Sequence, residues 1–120
     1  MAMTVKECYK KMDGDYEKAV RLMGNDERII KYLKIFQRDP NFDSLCNAIE
    51  QSDFKNAFNA AHTLKGVALN LSLTSLAEKT INLTEMLRSC DPSENMALLF
   101  QNTKTAYKLV IESIDALLDI

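Results

Sequence analysis

One histidine in 120 residues removes most metal and triad chemistry at the outset. A structural zinc site wants four N or S ligands at short spacings. The three cysteines, Cys8, Cys46 and Cys90, stand far apart and form no C-x-x-C pair. Their odd number and wide spacing predict reduced thiols in a cytoplasm, filling core or surface, with no metal bound by this chain. Three glycines and two prolines are too few for a turn-rich all-β fold. No apolar run approaches the ~18 residues that span a membrane. Met1 to Lys10 carries Lys6, Glu7 and Lys10 and lacks the apolar stretch of a signal peptide. Neither sign of charge dominates: fifteen basic and seventeen acidic residues give a net −2. A duplex nucleic-acid binder normally carries a basic excess to displace counterions. The expectation is a cytoplasmic chain whose partners are neither membranes nor nucleic acids.

What is present is an ordinary globular balance, 47% hydrophobic and 27% charged. A chain of this length is one domain and buries roughly two-thirds of its unfolded surface without disulfides or metal. Between breakers every segment has helical period, and none alternates long enough to be a strand. Thr4 with Glu7 fits a capping box, and Asp13-Gly14 ends that short helix. Asp15 can cap a second helix through Tyr16, Ala19, Val20 and Met23, which Gly24 ends. Asn25 or Asp26 starts a third, with Ile29, Ile30, Leu33 and Phe36, broken at Asp39-Pro40-Asn41. A fourth carries Phe42, Leu45, Cys46 and Ile49 up to Ser52. Ser52 or Asp53 can cap a longer helix from about Phe54 to Leu71. Thr74 offers the next cap, for a helix with Leu76, Ala77, Thr80, Leu83 and Leu87 on one face, ending near Cys90. Asp91-Pro92-Ser93-Glu94 starts the last, with Met96, Leu99, Tyr107, Val110, Ile114 and Leu117 inward, to about Leu118. The fold class is all-α: an up-down four-helix bundle with additional short N-terminal helices. Residues 1–120 form a single domain, with the short N-terminal helices and first bundle helices in 1–52. The core helices with His62 lie in 53–120.

On a wheel at roughly 100° per residue, Ala57, Ala60, Ala61, Val67, Ala68 and Leu71 fall within roughly 60° of Leu64. His62 falls roughly 160° away, with Lys55, Asn59 and Gly66. Phe58, Lys65 and Leu69 flank it, roughly 100–140° from the core centre. A lone histidine on such a face is usually just a solvated residue, but two neighbours are unexpected there. Gly66 costs a mid-helix position about 1 kcal/mol against Ala, and it leaves the space above His62 open unless another helix crosses there. Phe58 and Leu69 put apolar bulk around one polar group, as a docking patch does, unless the N-terminal helices cover them. Lys65, three residues on, is a surface neighbour of His62 and can ease the roughly −1.5 to −2 charge of an arriving phosphoryl group. A free imidazole is mostly neutral at pH 7, and the neutral form has the lone pair that attacks.

His62-Thr63-Leu64-Lys65-Gly66, within the run from Ala60 to Ala68, resembles the signature of histidine phosphotransfer (HPt) domains of bacterial phosphorelays. The resemblance continues through Asn70, Leu71, Leu76, Ala77, Leu83 and Arg88. Upstream, Gly14-Asp15-Tyr16, Arg21-Leu22-Met23 and Leu33 to Phe36 are similar to stand-alone members. It implies a four-helix bundle with His62 as phosphoacceptor, Lys65 stabilising phosphate and Gly66 giving access. Phe58, Asn59, Leu69 and Arg88 would meet the partner. The implied partners are response-regulator receiver domains and a hybrid sensor histidine kinase. Mg²⁺ would be held by the receiver, with no cofactor on this chain, which would act as a monomer. No ATP-binding motif is visible, so the implied role is a phosphoryl carrier and not a kinase. Members often have Gly where this chain has Leu69 and Ser72. Two alternatives stand beside this: a non-catalytic helical adaptor binding receiver or kinase domains through the same face, and a scaffolding bundle unrelated to phosphate.

Overall fold

The computed structural model describes residues 3–89 and 94–119. Among them are seven helices and no strand. They are α1 (Val5–Lys11), α2 (Tyr16–Met23), α3 (Asp26–Gln37), α4 (Asn41–Glu50), α5 (Phe54–Asn70), α6 (Thr74–Arg88) and α7 (Glu94–Leu118). Cys90 and the Asp91-Pro92-Ser93 start signal lie outside the described residues.

Local chemistry sets most helix starts. Thr4 Oγ1 accepts from the Glu7 amide, and the Thr4 amide donates to Glu7 Oε1, completing the expected capping box. Asp15, Asn25 and Asp53 each accept an amide three residues on, at the starts of α2, α3 and α5. At α4 the acceptor is Asp39, which takes both the backbone and side-chain amides of Asn41.

The start of α6 differs from expectation. Thr74 is the first helical residue and caps nothing; Leu73, fully buried, holds the cap position without a side-chain bond. The reason is tertiary. Ser72 takes a left-handed conformation (φ 58°), which turns the chain and drives Leu73 into the core. The free Ser75 amide then donates to the Asp13 carbonyl, from the loop after α1. In return the Asp15 amide donates to the Ser72 carbonyl at 2.9 Å. Gly14 sits in this seam, where a Cβ would lie 2.8 Å from Tyr9 Cδ2 and 3.0 Å from the Ser72 carbonyl.

Short connections make consecutive neighbours antiparallel. α5 packs chiefly on α4 and α6, and α6 on α7. Phe42 of α4 stacks on Tyr107 of α7 with centroids 3.9 Å apart, and Phe36 meets the same ring edge-on, so α4 to α7 close as a four-helix bundle. The Ala stripe of α5 is buried as its spacing predicts: Ala57, Ala60, Ala61, Leu64 and Ala68 face inward. A fully buried Leu such as Leu64 contributes about 1.5–3 kcal/mol relative to exposure. Small residues on the same stripe let the neighbouring helices approach. Thr80 and Thr84 sit in the core because each hydroxyl donates to the carbonyl four residues earlier, at 2.6 and 2.7 Å.

The N-terminal helices are tied to this bundle. α1 lies on α7, burying Val5, Cys8 and Tyr9. The Cys8 thiol donates to the Ser113 carbonyl, and the Tyr9 hydroxyl donates to the Leu71 carbonyl at 2.8 Å. Burial pushes the Cys8 thiol up to about 11 and raises Cys46 as well, the latter with nearby Asp43 and Glu50 adding to the effect. Both are protonated fillers, with little of the thiolate that ligates metals.

Candidate functional site

His62 stands midway along α5, fully on its outer side and exposed. α5 places it there because the Ala-rich stripe must face α4 and α6, which leaves the opposite meridian to solvent. Between Phe54 and Asn70 the helix has two lysines and no acidic residue. The face therefore suits an incoming anion without repulsion from its own helix.

Phe58 lies one turn before His62, its ring 5.9 Å from the imidazole at an interplanar angle of 22°. It is half-buried and packs on the core, so the wall beside the histidine is fixed. The guanidinium carbon of Arg88, from α6, stands 5.1 Å from the centre of the Phe58 ring. Arg88 is further held by Glu85, with contacts of 3.3 and 3.4 Å. Thus Phe58, His62 and Arg88 are brought together, across a separation of up to thirty residues.

One turn beyond His62, a Cβ built on Gly66 would meet nothing within 4 Å. Among the described residues no other helix crosses there, which removes close helix packing as the reason for this glycine. Leu69, a further turn along the same face, is 42% exposed, so the N-terminal helices do not cover it. Lys65 is half-buried, and among the described residues no acid pairs with it. Asn59 is exposed on the other flank, where its carbonyl accepts from the Thr63 hydroxyl at 3.1 Å. Ser72, by contrast, is no part of the face: it is buried in the turn, and its hydroxyl has no hydrogen-bond partner.

The arrangement offers one exposed imidazole, an open approach over Gly66, Lys65 three residues along the same helix, Arg88 against the Phe58 ring that flanks the imidazole, and an apolar rim. Among the described residues no three His, Cys, Asp or Glu side chains converge to hold a metal ion. No helix among them is long and apolar enough to cross a membrane.

Wheel geometry anticipated the α5 members of this face. It could not show that Arg88 lies on Phe58, because that contact depends on how α6 docks. Leu22, Tyr32 and Ile35, apolar residues of α2 and α3 outside the expected core faces, are exposed.

The Hpt domain family model matches residues 39–119, the span that holds α4 to α7. No curated protein and no solved structure matches the chain. Hpt domains carry phosphoryl groups on histidine in phosphorelays, where they meet receiver domains and kinases, and they have no kinase activity of their own. A match over two-thirds of the sequence, on the bundle that presents the histidine, is kinship and more than a shared motif: the chain belongs to the Hpt domain family.

Proposed function

We propose that this protein relays a phosphoryl group between receiver aspartates through His62. The observation that carries this is the exposed imidazole with open space over Gly66, on the helix of an Hpt bundle that has no acidic residue. A phosphorylated receiver docks over Phe58, Asn59, Leu69 and Gly66. The Nε2 lone pair of His62 attacks phosphorus in line. The N–P bond forms, the P–O bond to the aspartate breaks, and the carboxylate leaves with the electron pair while Nδ1 keeps its proton. Mg²⁺ held by the receiver offsets charge on the transferring group. Lys65 and Arg88 add positive charge on this side, Arg88 by swinging from Phe58. Reversal of the same steps hands the group to a second receiver.

The protein would act as a monomer in the cytoplasm, between a hybrid sensor kinase and a response regulator. Residues 1–120 would act as one unit, since the loop before α2 is bonded to the turn before α6.

Phosphoryl transfer from radiolabelled receiver domains of the same organism, with wild type and His62→Gln in parallel, tests this. Label on wild type alone, acid-labile and alkali-stable, is the expected result. No label from any receiver, with folded protein and Mg²⁺ present, would overturn the relay and leave a binding-only adaptor.

A further inference from the structure

Resting on that function, we infer that Glu85 is a positioning residue for the phosphoryl group on His62. It tethers Arg88 against Phe58 in the unloaded protein and gives Arg88 up when His62 is phosphorylated. The exchange sets how tightly this chain holds the group that it must pass on.

The contacts run unbroken from α6 to α5. The guanidinium carbon of Arg88 stands 5.1 Å from the centre of the Phe58 ring. That ring stands 5.9 Å from the imidazole of His62, at an interplanar angle of 22°. The guanidinium is therefore no further from the imidazole than these two spans laid end to end. The same guanidinium donates to both carboxylate oxygens of Glu85, from Nε at 3.3 Å and from Nη2 at 3.4 Å. A surface ion pair between residues three apart on a helix is usually of little consequence. This one differs because its cation rests on the ring beside the only histidine of the chain.

Electrostatics decides the direction of the exchange. α5 carries no acidic residue, so the carboxylate that meets Arg88 comes from α6. Glu85 thus neutralises Arg88 before any phosphoryl group arrives. A phosphoryl group brings a charge of about −1.5 to −2 and three strong acceptor oxygens. Both Glu85 contacts are longer than the ~2.7–2.9 Å of a charge-assisted hydrogen bond. Both side chains are also more than half exposed. A pair so loosely held gives way to a dianion. Arg88 then turns from Glu85 to the phosphoryl oxygens, and water hydrates the freed carboxylate. Because Glu85 has to be displaced, it offsets part of the attraction between Arg88 and the phosphoryl group. Phosphorylated His62 is thereby less stable than Lys65 and Arg88 alone would make it, which favours passing the group on.

The test loads His62 from phosphoramidate, a small donor that needs no receiver. With one histidine in the chain, phosphorus NMR gives one phosphohistidine signal. Its shift with pH gives the midpoint at which the phosphoryl group becomes a dianion. Wild type is compared with Glu85→Gln, Arg88→Gln, the double variant and Glu78→Gln, an exposed carboxylate two turns earlier on α6. Circular dichroism confirms that each is folded. An exposed ion pair contributes a factor of about three, which corresponds to about half a pH unit. Glu85→Gln should lower the midpoint by that amount, and Arg88→Gln should raise it as much. The double variant should match Arg88→Gln, and Glu78→Gln should match wild type. With a receiver that transfers, Glu85→Gln should also move the equilibrium about threefold towards phosphorylated His62. An unmoved midpoint in Glu85→Gln overturns the inference. So does a midpoint lowered equally with and without Arg88, which would make Glu85 a distant charge and not the holder of Arg88. Either result leaves the relay standing where receivers still load His62. No transfer from any receiver removes the relay, and the role assigned to Glu85 with it.

Discussion

Replacing Gly66 by alanine separates what the fold needs from what the site needs. The added methyl group would meet nothing within 4 Å, so the folded state gains no clash. Alanine in a helix interior is favoured over glycine by about 0.8–1.0 kcal/mol. For 120 residues, the unfolding entropy near the melting point is about 0.25 kcal/mol/K. The expected shift in Tm is therefore about +4 °C, read by circular dichroism. The same methyl group stands in the approach to the imidazole. Overpacking of one methyl at a fitted contact costs about 1–3 kcal/mol, so transfer from a phosphorylated receiver at subsaturating concentration should fall about tenfold. A lower Tm for Gly66→Ala would refute the claim that nothing packs on this residue. A higher Tm with unchanged transfer would refute its role in access.

Three further outcomes follow from the packing. Tyr9→Phe leaves the buried Leu71 carbonyl without its side-chain donor and should cost about 1–2 kcal/mol in urea unfolding. Ser72→Gly relieves a left-handed residue and removes an unpartnered buried hydroxyl; against the greater chain entropy of glycine, the net should be about 1 kcal/mol of added stability, with Ser72→Ala between the two. Because Cys8 titrates higher in the folded state than in the unfolded chain, the unfolded state releases that proton first; stability should be flat below pH ~9 and fall as pH rises towards about 11. Cys8→Ala should have a shallower fall over that window in urea midpoints; an equal fall would show that other groups, such as buried Tyr9, govern it.

The α5 face was legible because its information is local. Helical period alone puts Leu64 inside and His62 outside, and Gly66 is conspicuous in any helix. The same holds for Thr4, Asp15, Asn25 and Asp53, whose caps lie within three residues. What escaped the sequence depends on partners far along the chain. Thr74 looks like a cap by type, yet the Ala77 amide it would have satisfied donates to the Leu73 carbonyl, while Asp13, some sixty residues earlier, takes the Ser75 amide. Arg88 could be read as a solvated charge at a helix end until α6 is docked and its guanidinium meets Phe58. Ser72, where family members often have Gly, reads as a residue of the turn between helices; only the structure shows that it is buried there, in a backbone conformation that explains why glycine suits that position.

The exchange of hydrogen bonds between the Asp13–Asp15 loop and the Ser72–Ser75 turn bears on how this protein could be cut, fused or recombined. The span that matches the family starts at residue 39, which invites excision of the bundle as a portable cassette. Such an excision would strip the Tyr9 hydroxyl from Leu71 and the Asp13 carbonyl from the first turn of α6. It would also bare the surface of α7 that α1 covers. The packed unit is therefore longer than the recognisable one. A chimera built to rewire a signalling circuit would have to carry the first 38 residues along or redesign the seam they close.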